Sequence, residues 1–92
     1  MNTQNPELPK GLRFTFDVSR EDFGKRLRTL RKQGGLTRKE LGRLAGVDSE
    51  LIRSYESGKA LPKAKTLLSL ASVFSVTIEW MLIGEDEPSG VD

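Results

Sequence analysis

Residues 37–58 carry two complete sets of helix start and stop signals with one residue between them. Thr37, with Glu40 three residues on, has the composition of a capping box: the hydroxyl takes a backbone N–H of the first turn and the carboxylate reaches back to the cap. Gly46 supplies the stop, because glycine enters the left-handed conformation a helix terminus often requires. After Val47, Asp48 is a second cap and Gly58 a second stop. The sequence therefore predicts two short helices joined by a turn of only a few residues.

Three further helical segments surround this pair. The first starts at Ser19, with Asp22 as its box partner and Phe23, Leu27 and Leu30 as its buried stripe, and ends at Gly34 and Gly35. The second, starting at Thr37, is predicted to bury Leu41, Leu44 and Ala45. The third runs from Asp48 to about Ser57. Pro62 opens a fourth with Leu67, Leu70, Ala71 and Phe74 at helical spacing. A fifth, from about Thr77 to Ile83, holds Ile78, Trp80, Met81 and Leu82. The fold class is thus all-α with five helices over residues 19–84. Residues 1–18 form an arm: 1–11 are too polar to order themselves, while Leu12, Phe14, Phe16 and Val18 alternate with polar residues. That alternation fits either a short β-strand over 12–18 or an extended lead-in. Residues 85–92 read as an acidic tail.

Composition removes several classes of function. The 92 residues suit one domain, and with neither cysteine nor histidine present no disulfide or zinc site is expected. No cofactor or metal is expected either. Enzymatic chemistry is disfavoured, because there is no glycine-rich phosphate cradle and no isolated carboxylate pair in an apolar setting. No apolar run approaches the roughly 20 residues of a membrane span, and residues 1–10 lack an export leader, so a cytoplasmic protein is expected. The net charge of +2 conceals an asymmetry: residues 20–65 hold 13 bases against 6 acids, whereas every charge from Glu79 onward is acidic. A polyanion would meet the middle of the chain. Basic patches of this kind also occur as plain solvated helix faces, so order along the chain must decide.

A short helix, a tight glycine turn and a second short helix make a helix-turn-helix, whose second member enters the DNA major groove. At about 100° per residue, Leu51, Ile52 and Tyr55 share one side of that member, while Ser49, Glu50, Arg53 and Ser54 share the other. The short polar face is free to meet bases.

The stretch from Phe23 to Gly84 resembles the Cro and phage-repressor family, also called the xenobiotic-response-element family. The resemblance lies in Leu27-Arg28-Thr29-Leu30-Arg31, then Leu36-Thr37-Arg38-Lys39-Glu40-Leu41, then Ala45-Gly46-Val47. It continues in Ile52-Arg53-Ser54-Tyr55-Glu56-Ser57-Gly58-Lys59, Pro62, and Val76-Thr77-Ile78-Glu79-Trp80-Met81-Leu82-Ile83-Gly84. It implies a lambda-repressor-like domain that binds double-stranded DNA in sequence-specific fashion as a transcriptional regulator, a repressor by preference. Thr37, Arg38 and Lys59 would then grip backbone phosphates, with Arg standing where the family usually has Gln at position 38. Ser49, Glu50 and Ser54 would read bases, and Arg53 would reach a base or a phosphate. Arg31 and Glu56 match positions that pair across the first and third helices. Glu50 either accepts from cytosine N4 or simply faces solvent or Arg53. Gly42 departs from the family's Ala, which lowers helix propensity by about 1 kcal/mol.

Recognition of inverted-repeat half-sites implies a homodimer. The resemblance places its contact near the fifth helix, with Trp80, Met81 and Ile83 as candidates, although the same three residues could close the monomer core instead. The alternative function is an antitoxin that binds a toxin and represses its own operon through the same motif.

Overall fold

The computed structural model describes residues 18–84 as five helices: α1 (Arg20–Gln33), α2 (Arg38–Ala45), α3 (Ser49–Glu56), α4 (Ala64–Phe74) and α5 (Ile78–Ile83). Among the described residues there is no strand. Val18, in neither helix nor strand, is the one described member of the alternating 12–18 segment; the rest of that segment, the remainder of the arm and the acidic tail lie outside the described residues. None of the described helices is long and apolar enough to cross a membrane.

The helices start where hydroxyls and carboxylates satisfy first-turn N–H groups. Ser19 Oγ accepts from the Asp22 N–H at 3.1 Å, Thr37 Oγ1 from the Glu40 N–H at 3.0 Å, and Thr77 Oγ1 from the Trp80 N–H at 2.9 Å. Asp48 Oδ1 accepts from the Glu50 N–H at 3.4 Å. At Thr37 the box is reciprocal, for its backbone N–H donates to Glu40 Oε1 at 2.8 Å. The box expected at Ser19 closes only on the hydroxyl side: Asp22 is a methylene shorter than the glutamate such boxes employ, and the Ser19 hydroxyl donates to Glu21 instead. α4 starts two residues beyond Pro62, because Lys63 is still extended and acts as the cap.

Helix ends are set by backbone handedness. Gly46 and Gly84 are left-handed C-caps, at φ 77° and 76°. Ser75 ends α4 in the same conformation at φ 55°, held by the Val76 N–H bonding to Ala71 O at 3.0 Å.

All five helices contribute to one core. Phe23 and Leu27 of α1, Leu41 and Ala45 of α2, Ile52 and Tyr55 of α3, Leu67, Leu70 and Ala71 of α4, and Met81 of α5 are buried together. Three residues depart from expectation. Leu44 is 60% exposed and Leu51 43% exposed, because each lies at the edge of its helix's apolar arc rather than at its centre. Met81 is fully buried, so it belongs to the monomer core and is withdrawn from the dimer-contact candidates.

Two glycines allow backbones to touch. A Cβ on Gly24 would lie 2.5 Å from both the Tyr55 and Glu56 carbonyl oxygens, so α1 meets the end of α3 only because no side chain intervenes. A Cβ on Gly42 would lie 2.5 Å from Val47 O, and the Val47 N–H returns to Gly42 O at 2.8 Å. The glycine that weakens α2 by propensity thus lets the turn after it close tightly. At the far end of the fold, Arg26 Nε and Nη2 donate to the carbonyls of Met81 and Leu82 at 2.8 and 2.7 Å. This cation caps the C-terminus of α5, where the helix dipole favours positive charge.

Candidate nucleic-acid interface

α3 is fixed to the fold on one side and open on the other. Ile52 and Tyr55 anchor it, and the left-handed Gly46 turns the chain from α2 directly into its cap. Glu50 and Arg53 are exposed, and Ser49 and Ser54 are half-buried. Among the described residues no ion pair joins Glu50 to Arg53, and neither Ser49 nor Ser54 uses its hydroxyl in a hydrogen bond to another residue. The four expected base readers therefore lie on one short helix with their polar groups uncommitted. Lys59 is exposed just past the helix, its backbone N–H bonded to Ser54 O at 3.0 Å, which ties it to the same element.

The start of α2 is tied to α3 through a carboxylate between two guanidinium groups. Glu56 has a side chain only 3% exposed; its Oε2 accepts from Arg31 Nε at 2.6 Å and its Oε1 from Arg31 Nη2 at 3.1 Å. Arg31 Nη1 donates to the Leu36 carbonyl at 2.9 Å, so this guanidinium is engaged on every nitrogen. The same Glu56 Oε1 accepts from Arg38 Nε at 3.0 Å, while the Arg38 side chain remains 33% exposed. One carboxylate against two cations leaves the cluster with a net positive charge, carried outward by Arg38. The pairing of Arg31 with Glu56 is in place, and Arg38 joins it. Nothing in the sequence near Arg38 announces that third member, because Glu56 lies eighteen residues away.

Thr37 is committed in part. Its hydroxyl accepts from Glu40 and its backbone N–H is taken by the Glu40 carboxylate, which leaves the hydroxyl proton to donate. That backbone N–H, helped by the Thr37 side chain and by Arg43, holds the Glu40 carboxyl below its ordinary value of 4.5.

Around α5, Trp80 and Ile83 are half-buried. Trp80 lines a shallow concavity of about 270 Å³ with Ser75, Val76 and Thr77. Both residues remain accessible for contact with a second copy, as Met81 does not.

This constellation of a capped short helix, a glycine turn and a second helix with a free polar face coincides with a known family: residues 27–81 match the helix-turn-helix family HTH_3. The chain belongs to that family. This HTH_3 domain is 35% identical over 65 residues to the HTH-type transcriptional activator BcrR of Enterococcus faecalis, covering 71% of this chain and 32% of that protein. It is 33% identical over 67 residues to the HTH-type transcriptional regulator ImmR of Bacillus subtilis (strain 168), covering 73% of this chain and 52% of that one. The chain thus spans about a third to a half of the length of these two relatives. Among solved structures it resembles the P22 c2 repressor protein in complex with a synthetic operator, with a TM-score of 0.67 and 27% identity over 68% of this chain and 96% of that one.

Proposed function

We propose that this HTH_3 domain binds double-stranded operator DNA in sequence-specific fashion as a transcriptional repressor, working in the cytoplasm as a homodimer rather than as an enzyme. The observation that carries the proposal is the free polar face of α3, with Glu50 and Arg53 exposed and unpaired with each other on a helix whose opposite side is locked into the core. α3 lies in the major groove. Ser49, Glu50 and Ser54 meet base edges, with Arg53 at a base or a phosphate. Thr37, Arg38 and Lys59 hold the backbone on either side, and Trp80 and Ile83 contact the second copy.

Selection of duplexes from a random pool, followed by titration at several salt concentrations, tests this. Two cations per protomer, Arg38 and Lys59, give a log–log salt slope of about −3 to −5 for a dimer, with half-sites about one helical turn apart. Absence of any salt-sensitive association with duplex DNA would overturn the proposal.

A further inference from the structure

The large apolar side chain of Leu51 is at odds with its setting. It sits in the first turn of α3, its backbone N–H bonded to Asp48 O at 3.0 Å, and it is 43% exposed. The next residue, Ile52, is fully buried, so a one-residue advance along the helix separates core from solvent. Leu51 flanks Glu50 in sequence and lies three residues from Ser54, on the side of the helix that borders the free polar face. A surface leucine elsewhere would need no explanation. This one lies in the first turn of a recognition helix, the part that approaches base edges, on the same short element as the exposed Arg53.

The one apolar group that a base pair displays in the major groove is the C5-methyl of thymine. We propose that Leu51 is a specificity-determining residue that covers a thymine methyl group in each half-site, so that the operator carries thymine at one symmetric pair of positions. This rests on the DNA-binding function proposed above and adds a chemical preference that polar contacts by Ser49, Glu50 and Ser54 do not supply. A leucine that leaves water only against a methyl group discriminates thymine from an otherwise identical base lacking that methyl.

Deoxyuridine is that base. The full chain is bound to its selected operator, and to versions in which each thymine is replaced singly by uracil, with affinities read by fluorescence anisotropy. The unsubstituted protein loses about three- to fivefold at one thymine in each half-site, the factor that burial of one carbon corresponds to. Leu51→Ala, at a position outside the core cluster, binds thymine and uracil alike at that position while retaining its salt slope. Leu51→Met keeps part of the discrimination. Indifference of the unsubstituted protein to every thymine-to-uracil change, or equal discrimination by Leu51→Ala, overturns this assignment and leaves the DNA-binding proposal standing. Failure to bind any duplex overturns both.

Discussion

Replacing Glu56 by Ala removes the carboxylate that three donors share, and the structure sets the size of the loss. Arg31 is left with the Leu36 carbonyl alone, its side chain only 9% exposed, so its guanidinium cannot turn to water without disturbing α1. Arg38, a third exposed, can swing outward and recovers most of its hydration. The cost therefore comes from Arg31. Removing one partner of a buried pair typically costs about 3–5 kcal/mol, and the surviving bond to Leu36 places this case at the lower end, about 3 kcal/mol. For a domain of this size the total stability is only on the order of 3–10 kcal/mol. Urea unfolding followed by far-UV circular dichroism should show a midpoint reduced by a third or more at unchanged m-value, with a thermal midpoint lower by about 12–24 °C. Arg38→Ala, by contrast, leaves Arg31 and Glu56 paired and should cost less than about 1 kcal/mol, as half-open ion pairs do. A loss below about 1 kcal/mol for Glu56→Ala, or equal losses for the two variants, would refute the asymmetry between the arginines.

Arg38→Ala should also lower the magnitude of the salt slope of operator binding by about 1.8 for a dimer, one contact per protomer; an unchanged slope removes Arg38 from the phosphate contacts. Gly24→Ala gains about 1 kcal/mol in helix propensity but drives a methyl into two backbone carbonyls, so urea unfolding should show a net loss of about 1–2 kcal/mol. Glu40 carries a depressed pKa in the folded state, caused first by the Thr37 backbone N–H, so its capping contribution is complete above the unfolded carboxylate value near 4.5 and disappears as pH falls through the folded one. The difference in urea midpoint between the parent chain and Glu40→Gln should therefore be constant near neutrality and shrink below that value; a constant difference down to strongly acidic pH contradicts it. Met81→Ala and Trp80→Ala should separate by assay: the first leaves a core cavity and costs about 2–5 kcal/mol, while the second shifts sedimentation toward monomer. A dimer unaffected by Trp80→Ala moves the contact elsewhere.

Much of the fold was legible because its punctuation is local. Ser19, Thr37, Asp48 and Thr77 cap the helices they precede, and Gly46 and Gly84 close helices in the left-handed conformation, since capping needs only residues within one turn of each other. Ser75 escaped notice as a stop: a serine in the left-handed region has no compositional signature, and its conformation is imposed by the chain that follows. Gly24 escaped for another reason. Its role is a backbone approach between α1 and the end of α3, distant in sequence, and nothing near Gly24 encodes the partner.

The candidate site shows the same division between local and remote causes. Periodicity separates Glu50 and Arg53 from the side held by Ile52 and Tyr55 because that separation belongs to α3 alone. How wide the buried arc of a helix becomes depends instead on which neighbours pack against it, so Leu44, expected to be buried, and Leu51, which shares a side with Ile52 and Tyr55, are both exposed at the edges of their arcs. Arg38 is a further edge case: its Nε reaches a carboxylate that α3 contributes from eighteen residues away. An edge residue is held by the fold yet still open to a ligand, and this combination makes it suited to orienting a contact. Operator binding by this domain should therefore depend on Leu51 and Arg38, at the margins of the core, as well as on the exposed Glu50 and Arg53.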